Sequence, residues 1–416
     1  MQNQQLTNPA GTMALAVLPP LSLYVHIPWC VRKCPYCDFN SHELKPPHPR
    51  ALRQAADSDS AGIEPELERQ YLSTLIADLE SALPQVWGRP VHTVFFGGGT
   101  PSLLSARALD ELLSAIRARL PLAPDAEITL EANPGTFEAQ KFADFRVAGV
   151  NRLSIGVQSF DPVHLKALGR IHDRAQARAA IKIARANFDN YNLDLMYALP
   201  GQTVEQALAD IDTAIAFGPR HVSAYHLTIE PNTYYYRHPP QVPDPDLAAD
   251  MQEAIETRLA SAGYRHYETS AFARPAREAR HNLNYWTFGD YLGIGAGAHS
   301  KLSFADRILR QMRVKHPRDY LEKMAAGVPV EQEQRLAAED LPFEFMMNAL
   351  RLIDGVELRL FAERTGVPGH VLHKPLNAAE RLGLIERDHV RVRPTLRGQR
   401  FLNDLLQIFL RDSATS

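Results

Sequence analysis

Three cysteines, Cys30, Cys34 and Cys37, are the only cysteines of this 416-residue chain, and they lie in one short segment. Cysteine thiolates are the usual protein ligands of iron–sulfur clusters. Three thiolates on one loop can bind three irons of a cubane cluster, which leaves the fourth iron without a cysteine. The spacing therefore predicts a cubane with one iron open to an external ligand.

The open iron of such a cluster would accept a small chelating molecule. The amino and carboxylate groups of S-adenosylmethionine suit that role. Transfer of an electron into the sulfonium would then break a C–S bond and give a 5′-deoxyadenosyl radical. The cofactors predicted from the cysteines are therefore a [4Fe–4S] cluster and S-adenosylmethionine.

Two other interpretations of the cysteines remain open from the residues alone. Zinc would need a fourth ligand, and His26, Asp38 or His42 is near enough in sequence to supply it. The gaps of three and two residues between the cysteines are, however, unusual for a zinc knuckle. Unligated structural thiols are disfavoured because Cys34 and Cys37 flank a proline turn and would be partly exposed.

Glycines and polar side chains that could hold a cofactor lie at or near the ends of predicted strands. Successive glycines at 97–99 let a backbone approach a ligand closely. Glu131 could accept hydrogen bonds from ribose hydroxyls, and Arg170 could form a two-pronged pair with a carboxylate. Asp194 is a charge inside an apolar strand and needs a partner. The structural alternatives are a tight turn for the glycines, a solvated acid for Glu131 and a buried ion pair for Asp194.

The elements that would position these residues alternate between strands and helices. We predict strands at 23–27, 91–96, 127–131, 152–157, 192–197 and 222–228, with an amphipathic helix at 105–120. Six strand-then-helix units in a row indicate an α/β fold with a parallel sheet and helices outside. Right-handed crossovers allow either an open doubly wound sheet or a curved partial barrel, and periodicity does not separate the two.

The chain divides into four predicted parts. Residues 1–20 form a flexible arm, 21–238 the α/β core, 239–335 a linker and extension, and 336–416 a small, mostly helical, winged-helix-like domain. A segment at 46–65, rich in Pro, Ala, Ser and Asp, is predicted to be a mobile insertion.

The C-terminal part is predicted to contain helices at 343–352, 359–365, 374–382 and 401–410, with a short hairpin at 383–392. We interpret it as a packing domain. Nucleic-acid binding through its arginines is the alternative, but the acidic Glu386 and Asp388 lie beside them. The basic residues considered for that role are Arg391, Arg393, Arg397 and Arg400.

Composition restricts the class of protein further. The net charge of −3, with basic residues spread along the chain, argues against nucleic acid as the main partner. Apolar runs stay below the roughly 18 residues that a membrane span needs. Clustered cysteines do not form a disulfide framework, so we expect a reducing, cytoplasmic setting.

Residues 24–37, with the sequence YVHIPWCVRKCPYC, resemble the start of the radical-SAM superfamily. More narrowly, the chain resembles the oxygen-independent coproporphyrinogen III oxidase family and its heme-chaperone relatives. The resemblance implies a partial (β/α)6 barrel, a [4Fe–4S] cluster on the three cysteines, and S-adenosylmethionine. The residues that match S-adenosylmethionine contacts by family position are Tyr24, Gly98, Gly99, Thr100, Glu131, Gln158, Arg170 and Asp194.

Two features separate the oxidases from the heme chaperones. The oxidase motif carries a fourth cysteine two residues after the third, and Phe39 occupies that position here. Residues 281–286, HNLNYW, match a His-Asn-x-x-Tyr-Trp motif associated with the chaperones. From the residues alone, His281 would be a structural histidine beside an aromatic patch. The resemblance implies instead that His281, Asn282, Tyr285 and Trp286 bind heme.

The function implied by this resemblance is a heme chaperone rather than a dehydrogenase. It would bind heme and pass it to an acceptor protein, expected to be a respiratory protein at the membrane, and it would need an electron donor. The alternative is oxidative decarboxylation of coproporphyrinogen III to protoporphyrinogen IX. A radical-SAM enzyme acting on an unrelated small substrate is a third class.

Overall fold

A computed structural model describes residues 13–44, 62–135 and 139–411 of the chain. Most of the predicted insertion at 46–65, and residues 1–12 of the predicted arm, lie outside the described residues.

The described strands form a 12-stranded sheet, a three-stranded sheet and a two-stranded ribbon. The strands are β1 (Leu21–Ile27), β2 (Trp29–Cys30), β3 (His42–Glu43), β4 (Val91–Gly98), β5 (Leu122–Ala132), β6 (Arg152–Gln158), β7 (Tyr191–Tyr197), β8 (His221–His226), β9 (Arg265–Glu268), β10 (Ala271–Ala273), β11 (Asp290–Ile294), β12 (His299–Ser303), β13 (Ile308–Arg313), β14 (Val330–Arg335), β15 (Val356–Glu357), β16 (Ile385–Arg387) and β17 (Arg391–Pro394).

The described helices lie between and after these strands. They are α1 (Pro65–Val86), α2 (Ala106–Arg119), α3 (Phe142–Ala148), α4 (Pro162–Ala167), α5 (Arg174–Asn187), α6 (Val204–Phe217), α7 (Tyr234–Arg237), α8 (Pro245–Ser261), α9 (Arg280–Trp286), α10 (Pro317–Ala325), α11 (Leu341–Ala349), α12 (Arg359–Thr365), α13 (His373–Arg381), α14 (Leu396–Arg400) and α15 (Leu402–Gln407).

The six predicted strands are confirmed as β1, β4, β5, β6, β7 and β8. They are parallel and lie side by side in that order. An open doubly wound sheet reverses its strand order at a switch point, whereas this order runs in one direction. The topology therefore agrees with the predicted curved partial barrel.

Side-chain alternation in the strands separates the core from the lumen of the barrel. In β1, Leu23, Val25 and Ile27 are fully buried in the core that the strands share with helices such as α1 and α2. The intervening Ser22 and Tyr24 contact residues of neighbouring strands on the other face. The lumen is therefore lined by polar and aromatic side chains.

Capping residues define where two of the outer helices begin. Helices α5 and α6 both begin with capping boxes, in which Asp173 pairs with Gln176 and Thr203 pairs with Gln206. Each box satisfies backbone donors at the first turn.

Residues 239–335 contribute strands to both ends of the same large sheet. The pair β9–β10 follows β8, while β11 to β14 lie on the far side of β1. Strand β11 is parallel to β1, and β12, β13 and β14 form an antiparallel meander. These strands are short, and β14, with the sequence VEQEQR, is largely exposed, so it carries little hydrophobic signal in the sequence. The domain boundaries remain a prediction.

The C-terminal residues form a small domain with its own hydrophobic core. Helices α11 to α15 surround the antiparallel strands β15, β17 and β16, which agrees with the predicted helices and hairpin. Arg393 forms an ion pair with Glu386, and Arg391 lies 4.0 Å from Glu357. These neighbouring acids reduce the positive charge of the surface considered for nucleic acid.

The described part of the predicted N-terminal arm corrects the expectation of a loose segment. Leu15 is buried in the core of the C-terminal domain, and its backbone amide donates to the carbonyl of Ala305. The amide of Ala14 donates to the carbonyl of Gly366 at 3.3 Å. Burial of Leu15, together with these two backbone hydrogen bonds, therefore holds the start of the described stretch, a contact that sequence position alone did not reveal.

Within the described ranges, no helix combines the length and the apolar character needed to cross a membrane.

Candidate functional site

The cysteine loop begins where β1 ends, at the carboxyl edge of the parallel strands. Cys30 lies in β2, which pairs with β3, and the amide of Cys37 donates to the carbonyl of Cys34 across a tight turn. All three thiols are half-buried and unpaired. Burial raises the pKa of Cys30 and of Cys37 in the metal-free chain.

The predicted glycines hold the cysteine loop against β4. The amide of Gly99 donates to the carbonyl of Ile27, and the amide of Thr100 donates to that of Trp29, both at 2.7 Å. A Cβ atom at Gly99 would lie 2.5 Å from the carbonyl oxygen of Trp29. At Gly98, where φ is +113°, it would lie 2.6 Å from the ring of His26. Glycine is therefore required here for packing of the loop, whatever its backbone also binds.

A chain of hydrogen bonds joins two of the thiols through side chains from separate strands. The hydroxyl of Thr100 donates to Cys30 Sγ at 3.5 Å, and Asn133 Nδ2 donates to that hydroxyl at 2.9 Å. Arg170 Nη2 donates to Asn133 Oδ1 at 2.5 Å, while Arg170 Nη1 donates to Cys34 Sγ at 3.5 Å. This chain sets the positions of Thr100 and Arg170 relative to the thiols.

Asn133 is a functional candidate that the sequence analysis missed. It follows β5 directly and is followed in turn by Pro134 and Gly135. The signal in the sequence that could have identified Asn133 is its position two residues after the candidate Glu131. Among the described residues, Arg170 Nε is buried and lacks a hydrogen-bond partner. An unsatisfied guanidinium N–H beside a thiol suits an anionic ligand, such as a cluster sulfide or a carboxylate.

Two carboxyl groups, Glu131 and Asp194, face each other in the lumen. Burial, and next the charge of Asp194, raise the pKa of Glu131 to about 8. Glu131 Oε2 accepts a hydrogen bond from the amide of Gly98 at 3.3 Å. Burial also raises the pKa of Asp194, which accepts hydrogen bonds from Ser154 and Asn192. The pair offers acceptor oxygens to a ligand that carries hydroxyl groups.

The remaining predicted contacts complete the same edge of the barrel. The hydroxyl of Tyr24 lies 3.0 Å from His26 Nδ1. Gln158 ends β6 with φ +67°, an unusual conformation for this residue type, and its amide nitrogen lies close to Gly156. Such backbone strain is found at functional sites. The structure thus places the predicted S-adenosylmethionine residues and the cysteines at one site.

The HNLNYW motif forms α9 at the opposite end of the strands. His281 is buried, and its backbone amide donates to Glu127 near the middle of β5, at 3.3 Å. Its ring stacks on Phe95 with centroids 4.8 Å apart. Burial, and next the charge of Arg152, lower the pKa of His281 to about 3. The imidazole is therefore neutral at physiological pH.

Hydrogen bonds to both ring nitrogens fix the tautomer of His281. The hydroxyl of Thr93 donates its proton to Ser22, so it accepts from His281 Nδ1 at 2.8 Å. The other nitrogen, Nε2, then carries the lone pair and accepts from the hydroxyl of Tyr285 at 3.1 Å. The hydrogen bonds to Thr93 and Tyr285 agree with the interpretation of His281 as a structural histidine. The arrangement also leaves Nε2 as the atom that could bind a metal once Tyr285 moves.

The other motif residues differ in their surroundings. Asn282 is half-buried, and Asn284, which the sequence analysis did not select, donates to Ser22 and to the carbonyl of Asp290, both at 2.8 Å. Trp286 packs against the C-terminal core beneath the guanidinium of Arg351. The motif therefore ties the barrel to the C-terminal domain.

A series of aromatic rings lies between the motif and the cysteine site. Tyr24 at the cofactor edge stacks on Phe95, with centroids 6.3 Å apart, and Phe95 stacks on His281. His281 contacts the ring of Tyr285, which contacts Tyr291 at 4.5 Å. Packed rings fill this part of the lumen between the two groups of residues.

Comparison with known proteins agrees with this arrangement. A model of the radical SAM superfamily matches residues 24–214, and one of the HemN C-terminal domain matches residues 336–401. Solved structures include the Escherichia coli coproporphyrinogen III oxidase HemN, a radical SAM enzyme. Its TM-score is 0.76 at 23% identity, with 94% of this chain and 90% of that chain covered, which shows a shared fold.

Curated relatives cover nearly the whole chain. The heme chaperone HemW of Escherichia coli (strain K12) is 48% identical over 395 residues, which are 94% of this chain and 99% of the relative. The heme chaperone HemW of Haemophilus influenzae is 43% identical over 399 residues, with 94% and 98% covered. The chain therefore belongs to the radical SAM superfamily, in the family of the heme chaperones HemW.

Proposed function

We propose that this protein is a heme chaperone, which binds heme and transfers it to an acceptor protein. The observation that carries the proposal is the 48% identity to a curated heme chaperone over 94% of the chain. Phe39, which stands where an oxidase motif has its fourth cysteine, also favours the chaperone. Coproporphyrinogen decarboxylation is not favoured, because the solved oxidase shares the fold at only 23% identity.

Membership of the radical SAM superfamily implies a [4Fe–4S] cluster and S-adenosylmethionine. We assign the cluster to Cys30, Cys34 and Cys37, which leaves one iron for the amino and carboxylate groups of S-adenosylmethionine. When bound, the cluster and S-adenosylmethionine would supply reductive cleavage of a C–S bond. The alternative role of the bound cluster is that of a redox-sensitive structural element. The unsatisfied Arg170 N–H and the acceptor oxygens of Glu131 support this assignment.

The chain's own residues would hold these groups from several strands. Thr100 and Arg170 would donate to the thiolates of Cys30 and Cys34, which stabilises the ionised sulfur. Glu131 would accept ribose hydroxyl hydrogen bonds, and its raised pKa would fall toward the usual range as those donors arrive.

The heme site would use the motif on α9, with His281, Asn282, Tyr285 and Trp286 in contact with the tetrapyrrole. Metal-binding histidines commonly have their second ring nitrogen hydrogen-bonded, and Thr93 does this for His281 Nδ1. Iron would bind Nε2 after the Tyr285 hydroxyl turns away. The aromatic rings would cover the macrocycle by apolar burial.

The partners follow from this function. The heme acceptor would be a respiratory protein at the membrane that needs heme, and a separate electron donor would reduce the cluster. Three unpaired thiols suit a reducing compartment, so we place the protein in the cytoplasm.

Heme titration of the reconstituted protein and three variants tests the proposed ligand. His281→Ala should perturb the Soret band and weaken heme retention, whereas the exposed His389→Ala should match the wild type. Tyr285→Phe should strengthen binding up to about fivefold, because it removes a competing hydrogen bond worth ~1 kcal/mol. Unchanged heme spectra and affinity in His281→Ala would exclude this histidine as the axial ligand.

A further inference from the structure

A small cavity lies beside the HNLNYW motif, between α9, the strands β11 to β13 and α11. Its volume is about 160 Å³, and its lining includes Tyr285, Trp286, Tyr291, Arg310 and Met347. Tyr285 belongs to both sites, because its hydroxyl donates to His281 Nε2 and its ring contacts Tyr291. The cavity therefore adjoins the proposed heme ligand directly.

Two hydrogen-bond donors that belong to this lining are buried without a partner. Among the residues that the structure describes, Trp286 Nε1 and Arg310 Nε contact no acceptor. Leaving a buried donor unpaired is costly, and buried polar groups in folded proteins are nearly always paired. The two N–H groups therefore indicate an acceptor that binds in the cavity.

The charges around the cavity indicate that this acceptor is an anion. The two cations of the lining are each paired, Lys301 with Asp290 at 2.9 Å and Arg310 with Glu344. Arg89, which does not line the cavity, also pairs with Asp290, at 2.8 Å. Three cations thus share two carboxylates. A positive excess inside the protein favours a negatively charged ligand, and an arginine N–H donates well to a carboxylate.

We propose that this cavity binds a carboxylate, of the kind carried by a propionate side chain of heme. The inference rests on the proposed function, because it identifies the part of the heme that the site recognises. Pockets for entire small molecules begin near roughly 300 Å³, so this cavity accepts a substituent rather than a macrocycle. Arg310 Nε donates to one carboxylate oxygen and Trp286 Nε1 to the other, while Glu344 stays paired with Arg310. The ring system then extends toward Tyr285 and His281.

The test compares heme with heme dimethyl ester, in which both propionates are esterified. The wild type should bind heme at least about tenfold more tightly than the ester, a difference of about 1.4 kcal/mol. Arg310→Lys keeps the pair with Glu344 but removes one donor, and it should weaken heme binding several-fold and leave the affinity for the ester unchanged. Trp286→Phe keeps an aromatic ring but removes the other donor, and because its ring also faces the tetrapyrrole it should weaken the binding of heme more than that of the ester.

Arg307→Lys, on the neighbouring exposed turn where Arg307 pairs with Asp306, is the matched control and should behave as the wild type. Equal affinity of the wild type for heme and ester would overturn the proposal. So would variants that weaken both ligands equally.

If the wild type binds neither heme nor the dimethyl ester, the proposed function itself is contradicted. A second measurement then tests the carboxylate site without heme. The chain has three tryptophans, so its indole N–H signals in a ¹⁵N NMR spectrum are few, and Trp286→Phe assigns one of them. Sodium propionate should shift the Trp286 signal in the wild type and not in Arg310→Lys. No shift at tens of millimolar propionate would overturn the carboxylate site independently of heme.

Discussion

Arg170 joins the cysteine loop to the strand ends through direct contacts with Cys34, Asn133 and the carbonyl of Gly156. Hydrogen bonds to sulfur and nearby charge both set the reduction potential of an iron–sulfur cluster. A cation beside Cys34 favours the reduced cluster, which carries one more negative charge.

Arg170→Gln should therefore lower the reduction potential of the reconstituted cluster by tens of millivolts or more, since 59 mV corresponds to a tenfold change for one electron. An EPR-monitored redox titration measures this shift. Arg178→Gln, an exposed change on α5, is the control and should leave the potential unchanged. A potential that stays the same in Arg170→Gln would contradict the assigned contact with the cluster.

Glu131 predicts a pH dependence of stability in the cofactor-free protein. Its pKa is raised from 4.5 to about 8 in the fold, so the folded protein binds this proton more tightly than the unfolded chain. The resulting stabilisation is complete below about pH 4.5 and is lost as the pH rises through about 8.

Glu131→Gln should flatten this dependence, whose slope for one proton is at most about 1.4 kcal/mol per pH unit. Urea unfolding at a series of pH values between 5 and 8 measures it. Glu111→Gln on the exposed face of α2 should keep the wild-type slope. If Glu131→Gln keeps it too, then Glu131 is not the titrating group.

At the scale of elements, the approach of β4 to the cysteine loop depends on glycine. Gly99→Ala would place a Cβ atom 2.5 Å from the carbonyl oxygen of Trp29, in a loop whose backbone is hydrogen-bonded on both sides. We expect a loss of about 1–3 kcal/mol in unfolding free energy, as for other overpacked sites, together with reduced iron content.

Thermal unfolding and iron analysis of Gly99→Ala test this element. Gly369→Ala is the matched control, because its added methyl group would have no heavy atom within 4 Å and its backbone is not left-handed. Equal stability and iron content in both variants would show that the loop can shift without loss.

The sequence predicted the elements whose hydrophobic pattern is strong. The six parallel strands contain alternating buried apolar residues, and the apolar face of α2, with Leu109, Leu112, Leu113 and Ile116, is buried as the helical spacing indicated. The strands β9 to β14 were not predicted, because they are short and, as in β14, partly polar. Their pairing with β1 and β8 depends on the rest of the sheet already being formed.

The candidate site was predictable to a similar degree. Strand-end position was enough to predict the placement of Glu131 and Gln158 at one edge of the barrel, whereas Arg170 and Asp194 were selected by residue type and by the family resemblance. Contacts between side chains distant in sequence, such as Asn133 with Thr100, could not be predicted, nor could the burial of His281 against Phe95. Those depend on packing in three dimensions rather than on spacing.

At the scale of the whole molecule, the cysteine site and the HNLNYW motif occupy opposite ends of the parallel strands, and packed rings lie between them. The motif also contacts the C-terminal domain through Trp286. This separation suits a protein whose heme is carried at one end while the cluster and S-adenosylmethionine act at the other.

The most direct test of this account is one anaerobic preparation assayed for iron, sulfide, heme binding and coproporphyrinogen III turnover. We predict about four irons and about one heme per chain, as one cubane and one axial ligand imply, with no protoporphyrinogen IX formed in the presence of reductant and S-adenosylmethionine. Multiple turnovers of coproporphyrinogen III, with no heme retained by the reconstituted protein, would contradict the chaperone function.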